Sequence, residues 1–265
     1  MYLPMAVKNQ AITLEDILTS LSSPPPYKLL YFNRISDLYR QVGIGEFLMS
    51  NDPANLNRQV AKGIQAYCEF LENAEESEKA TSQINVLFDA IYLNDTASLS
   101  RLAKAAATTV NARKEYEEDF LYKRILLDLI GLGKEQEAIE NLMKAFETLH
   151  NDNEDERFVL LRAYLDKEHE DFWGALEMLI NEHQEKWAEG GDRYKGTLEE
   201  AEITSHVSME IIAWLKLAKQ ANLFSQREVQ LAPGPLMTGG EPVSLAPKSW
   251  LNCDSYRSLN YTPRN

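Results

Sequence analysis

Residues 116–130 read YEEDFLYKRILLDLI, and they open a region through Trp187 in which apolar side chains recur every three or four positions. The same spacing returns in three later runs, residues 138–149, 158–165 and 172–187. Side chains at this spacing share one face of an α-helix. Short polar segments at 131–134 and 166–171 separate the runs, and short turns between amphipathic helices produce antiparallel hairpins. The region therefore predicts a helical scaffold.

The N-terminal part predicts further helices. The segment TLED at residues 13–16 resembles a capping box and predicts a short helix through about Leu21. Residues 29–41 predict a second helix, which we expect to end near Gly43 and Gly45.

The later helical segments share a weak internal repeat. Residues 88–106, 127–145 and 161–179 each contain an apolar helix end, a polar turn and Ala or Leu pairs at helical spacing. Offsets of about 39 and 34 residues are typical of tetratricopeptide-type arrays, although the consensus of those repeats is absent. No strand pattern is evident. We predict an all-α fold, an array of antiparallel helical hairpins that is degenerate and tetratricopeptide-like.

The C-terminal part divides into a helix and a tail. Residues 203–218 form a pattern that is apolar over more than half of the helix circumference, which predicts a helix inside the domain. From residue 232 onward prolines and glycines are frequent. We therefore expect one all-helical domain over residues 1–231 and an extended Pro/Gly-rich tail over 232–265 that packs partly on the helices.

Charge is distributed unevenly along the 265 residues. The formal net charge is −14, and residues 150–202 alone contain 16 acidic and 6 basic side chains. Direct binding to nucleic acid is not expected, because phosphate affinity comes from clusters of Lys and Arg. An acidic segment favours a basic partner, although a solvated surface that confers only solubility is an equally plausible interpretation.

Targeting and redox signals are absent from the sequence pattern. The first ten residues do not resemble a signal peptide, and no apolar run has the length of a membrane span. The two cysteines, Cys68 and Cys253, do not suggest a disulfide or zinc framework. We expect a cytoplasmic protein that does not associate with membranes.

Candidate catalytic and metal-binding residues have ordinary explanations. Glu147 and His150 have the Glu-x-x-His form of di-iron bundles, but a second copy is missing. His169 lies in an acidic turn, and His183 continues an apolar helix face. Nucleophile and phosphate-loop motifs are missing. We therefore predict no catalytic residue, no metal site, no cofactor and no enzymatic activity.

The order of the helical segments resembles the immunity protein 49 family of bacterial polymorphic-toxin systems over roughly residues 50–236. The segments that carry the resemblance are Tyr116–Tyr122, Ala138–Leu142, Leu160–Leu165, Phe172–His183 and Ile211–Leu223. The resemblance implies a protein that binds and neutralises a cognate secreted toxin. It supplies no toxin-contacting residues.

The charge pattern suggests how such a protein could act. Two acidic turns flank the predicted helix at 158–165, and their carboxylates could pair with Lys and Arg around the active site of a basic toxin. The predicted partner-binding residues are Asp152, Glu154, Asp155, Glu156, Glu168, Glu170 and Asp171. The alternative hypothesis is a helical-repeat adaptor or chaperone. Because the aromatic side chains follow core periodicity, immunity is favoured.

Overall fold

The computed structural model describes residues 2–21, 25–149, 155–187, 197–224 and 228–253. Across these residues the chain is helical and contains no β-strand, which confirms the all-α prediction. The helices are α1 (Leu3–Ser20), α2 (Leu29–Ser50), α3 (Pro53–Asn73), α4 (Val86–Tyr92), α5 (Thr96–Ala105), α6 (Glu117–Leu126), α7 (Gln136–Leu149), α8 (Glu156–Asp166), α9 (His169–Trp187), α10 (Leu198–Thr204), α11 (Met209–Gln220) and α12 (Gly234–Gly239). A π-helical turn, Leu127–Gly131, extends α6. None of the described helices is long and apolar enough to cross a bilayer.

The first two helices are longer than the sequence pattern predicts. Helix α1 begins ten residues before Thr13, whose hydroxyl donates to the carbonyl of Asn9 at 2.9 Å inside the helix. Helix α2 continues through Gly43 and Gly45. A Cβ added at Gly45 would overlap the side chain of Val7 on α1. The glycines therefore permit close helix packing and do not terminate the helix.

The buried centre is formed by α3, α4 and α11. Every residue of α4 is buried, and α11 is buried from Met209 through Ala218 apart from Glu210. The two helices pack against each other. The helix predicted over residues 203–218 is divided in the structure, because α10 ends at Thr204 and α11 begins at Met209. The second part lies inside the molecule as expected, since Trp214 is fully buried and its indole N–H donates to the hydroxyl of Tyr122 at 2.8 Å.

Consecutive helices pack in pairs through the middle of the chain. Helix α4 contacts α5, α6 contacts α7, and α8 contacts α9 along much of its length. Whether these pairs stack as a tetratricopeptide-like array stays a prediction.

The described part of the C-terminal segment packs across α2 and α3. Trp250 is fully buried, its indole N–H donates to Glu69 at 2.8 Å, and its carbonyl accepts from the hydroxyl of Tyr39 at 2.5 Å. The side-chain amide of Gln65 donates to the carbonyl of Ala246 at 2.9 Å. These bonds fix the position of the segment, while the domain boundary at residue 232 stays a prediction.

Candidate partner-binding site

Three of the predicted acidic residues lie together at the turn between α8 and α9. Lys167 has a φ of 65° and ends α8, after which Glu168, Glu170 and Asp171 follow with exposed side chains. Glu170 and Asp171 occupy the first turn of α9, where the helix dipole favours negative charge. The turn thus presents three carboxylates to solvent.

Two further predicted residues lie at the opposite end of α8. Asp155 caps this helix by accepting from the backbone N–H of Arg157 at 2.8 Å, and it pairs with the guanidinium of Arg157 at 2.7 Å. Glu156 lines a polar cleft at this end of α8. Asp152 and Glu154 lie outside the described residues. Since α8 is about 16 Å long, its two ends form separate acidic groups.

A polar cleft of about 490 Å³ opens where α6, α8, α9 and α11 meet. Its lining includes Asp119 and Lys123 from α6, Glu156 from α8, Lys186 from α9 and Glu210 from α11. Its volume lies in the range of small-ligand pockets in general. The cleft is therefore large enough to receive a side chain or a small molecule.

Lys123 occupies the floor of this cleft and is only 6% exposed. Its Nζ lies 3.5 Å from the centroid of the Phe88 ring and 3.3 Å from Oδ1 of Asn85. Burial lowers the pKa of Lys123 to about 8; Glu210 raises it, whereas Arg40 and Arg157 lower it further. An aromatic face and one amide oxygen thus stabilise an ammonium that burial disfavours.

A hydrogen-bonded chain fixes the wall beside Lys123. The hydroxyl of Tyr122 donates to Oε1 of Glu210 at 2.7 Å and accepts from Trp214 at 2.8 Å. Burial raises the pKa of Tyr122 well above its usual value, and Glu210 raises it further. Tyr122 therefore remains a neutral donor that holds the Glu210 carboxylate in place.

Arg157 closes the cleft on the α8 side. Its guanidinium pairs with Asp119 at 2.5 Å and with Asp155 at 2.7 Å. The two carboxylates neutralise this cation and connect the start of α6 to the start of α8. Arg157 therefore orders the cleft wall, and its charge is already compensated.

The histidines and cysteines among the described residues have ordinary surroundings. His183 is half-buried and its Nε2 lies 2.9 Å from the carbonyl of Thr204; burial lowers its pKa, so its ring is neutral near pH 7. His169 begins α9, and His150 lies outside the described residues. Cys68 and Cys253 are free thiols. Across the described residues, no group of three or more His, Cys, Asp or Glu side chains could hold a metal ion.

The cleft is not evident from the sequence pattern. Its floor and walls come from helices that are distant in sequence, so no local motif marks it. One signal was present: Lys123 and Arg124 interrupt the apolar run of α6, and both are buried. Consecutive buried cations in a core helix are unusual, because Lys and Arg are rarely buried without a compensating partner.

The comparisons with known proteins gave one match. A family model described as Immunity protein 49 matches residues 53–236, from the first residue of α3 into α12. Curated proteins and solved structures were also compared, and neither comparison gave a match.

Proposed function

The chain belongs to the immunity protein 49 family, and from this premise we propose that it binds a cognate bacterial toxin and blocks the toxin's active site without catalysing a reaction. The family match over residues 53–236 is the observation that carries the proposal. Free thiols at Cys68 and Cys253 suit the reducing cytoplasm, where we expect the complex to form.

The exposed acidic turn between α8 and α9 supports the proposal that the toxin contacts this protein through a basic surface. Glu168, Glu170 and Asp171 are exposed there, and Met178 is 51% exposed further along the same helix. Interfaces combine apolar contacts with polar rims, and methionine is enriched in them. Carboxylates and an exposed apolar side chain on one helix would both attract and hold a basic partner.

Asp155 has a different role in this proposal. Because it caps α8 and pairs with Arg157, its charge is largely committed within the molecule. The proposed contacts with the toxin are therefore Glu156, at the cleft, and the three carboxylates of the α8–α9 turn. Asp152 and Glu154 complete the proposed set.

The experiment begins with the protein encoded immediately upstream of this gene. It is expressed under an inducible promoter in a sensitive host, with or without the immunity protein. Restored growth supports immunity, and a purified 1:1 complex is then measured by calorimetry. Unrestored growth with a demonstrably toxic upstream protein would contradict neutralisation of that toxin.

Charge reversal then tests the contact surface. Glu170→Lys with Asp171→Lys should weaken binding at least tenfold and reduce its dependence on salt. The matched control is Glu135→Lys with Glu137→Lys, at the exposed start of α7. Both double variants change net charge equally and place lysines near a helix N-terminus. Equal weakening by the two would refute the acidic turn as the contact while leaving immunity intact.

A further inference from the structure

The floor of the cleft contains a cation that its surroundings leave poorly compensated. Among the described residues, no carboxylate forms an ion pair with Lys123. Its Nζ contacts the Phe88 ring and the Asn85 amide oxygen and lies 5.6 Å from the centroid of the Tyr122 ring. An ammonium has three donor hydrogens, and one acceptor at 3.3 Å uses only one of them. Burying a charge is unfavourable unless it is paired.

Three other buried or half-buried cations among the described residues have closer partners. Arg40 pairs with Asp89 at 2.7 Å, and Arg124 pairs with Asp128. Lys216 donates to the carbonyl of Tyr92 at 2.6 Å. Lys123 differs from all three because neither a carboxylate nor a backbone carbonyl of the described residues accepts from it, and the cleft provides open space in front of it. That space is where a missing acceptor would fit.

We propose that the cleft receives a carboxylate, which enters between α6, α9 and α11 and pairs with Lys123. Lys186, near the mouth, also forms no ion pair among the described residues and can steer the anion inward. Two sources share this chemistry: an Asp or Glu side chain of the toxin, or a free small carboxylic acid. The first source rests on the proposed function, and the second does not.

Other occupants suit the position beside Lys123 less well, although the carboxylates of Asp119, Asp155, Glu156, Glu182 and Glu210 line the rest of the cleft. A lysine or arginine would place its charge beside the ammonium of Lys123. A phosphate group usually requires several convergent cations, whereas Arg157 is already neutralised by Asp119 and Asp155. A single carboxylate matches the one buried ammonium on the floor of the cleft. On a basic toxin surface, one acidic side chain placed here would fix the register of the complex.

The test measures the pKa of Lys123 by NMR, using lysine labelled with carbon-13 at Cε and Lys123→Arg to assign the signal. A bound carboxylate favours the charged ammonium. Glutarate in the tens of millimolar, compared with sodium chloride at equal ionic strength, should therefore raise this pKa by about one unit, equivalent to tenfold preference for the charged form.

Lys216 is the internal control. Burial lowers its pKa to about 8 as well, but it lies outside the cleft, so its signal should not move. A selective shift at Lys123 with glutarate supports the proposal and identifies a free acid as sufficient. A selective shift only with the toxin supports the proposal and identifies a side chain as the source.

Two results would overturn the proposal: equal shifts at both lysines, or no shift at Lys123 with either ligand. If no toxin is neutralised, the glutarate measurement still shows whether the cleft binds a carboxylate. Failure of the proposed function and failure of this inference therefore remain distinguishable. In addition, Lys123→Met should weaken carboxylate binding at least tenfold, whereas Lys216→Met should leave it unchanged.

Discussion

Gly45 shows how one missing Cβ sets the distance between two helices. A Cβ at this position would overlap Val7, which is fully buried on α1. We therefore expect Gly45→Ala to lower the free energy of unfolding by about 1–3 kcal/mol, because overpacking outweighs the gain in helix propensity. Urea unfolding followed by circular dichroism measures this change.

Gly174 provides the matched control on α9. It is exposed within the helix, and a Cβ added there would have no neighbour within 4 Å. Gly174→Ala should stabilise the protein by about 0.5–1 kcal/mol, because alanine reduces the conformational entropy of the unfolded chain. If both substitutions change stability in the same direction, the packing explanation for Gly45 is wrong.

The lowered pKa of Lys123 predicts a dependence of stability on pH. Between pH 8 and about 10.4 the unfolded chain retains the proton on this lysine whereas the folded protein loses it. Because the unfolded state then binds more protons, stability contributed by this group rises with pH in that window. Below pH 8 the folded protein bears the full unfavourable effect of a buried charge.

Lys123→Met isolates this contribution. The free energy of unfolding of the wild type, relative to that of the variant, should increase from pH 8 to pH 10. Urea titrations at one-unit intervals from pH 7 to 10 provide the comparison. A constant difference between the two proteins across this range would mean that Lys123 ionises in the folded state as it does in the unfolded chain.

At the scale of elements, the start of α8 depends on one side chain. Asp155 caps the helix and pairs with Arg157, which in turn contacts Asp119 on α6. We expect Asp155→Ala to destabilise the protein by about 1–2 kcal/mol through the lost cap and pair. Asp155→Asn should have a smaller effect because asparagine caps nearly as well as aspartate.

Thermal denaturation at pH 7 distinguishes the two Asp155 variants. The melting temperature of Asp155→Ala should be the lower of the two. Equal losses would indicate that the ion pair with Arg157, and not the cap, dominates at this position.

The sequence predicted which segments are helical better than it predicted where the helices begin and end or which residues line the cleft. The apolar periodicity of α6, α7 and α9 appears in the sequence because each helix buries one face. Gly43 and Gly45 misled the prediction for α2, since glycine disfavours an isolated helix but permits contact with Val7 and Leu56. Tertiary packing outweighed local propensity there.

The candidate site was predictable only in part. Exposed acids at the α8–α9 turn follow from local composition. The pairing of Asp119 with Arg157 and the presence of Lys123 and Glu210 in one cleft depend on how distant helices meet. Sequence periodicity contains no information on that arrangement.

At the scale of the whole molecule, charge is divided between two separate groups, one at each end of α8. Carboxylates are exposed at the start of α9, mixed charges surround the cleft, and Lys123 lies on its floor. A partner that complements this arrangement would be basic overall and carry one acidic side chain. Such a pattern allows long-range attraction and short-range discrimination to depend on different residues.

The segments on both sides of the family-matched region pack against it. Helices α1 and α2 precede the family-matched region, yet α2 packs along α3 and α1 contacts α10. From the other end of the chain, Trp250 is buried against α2 and α3. Because the segments outside residues 53–236 share buried side chains with the matched region, we expect them to unfold together with it.

Urea unfolding followed by tryptophan fluorescence and by far-ultraviolet circular dichroism should give coincident transitions, as expected for a single cooperative unit. Trp250→Phe removes the reporter in the C-terminal segment while retaining an aromatic ring, so its remaining fluorescence describes the matched region alone. Its fluorescence and circular dichroism curves should still coincide with each other. An early transition that is lost in Trp250→Phe would instead show that the C-terminal segment detaches before the helices unfold, and that it is a separate unit.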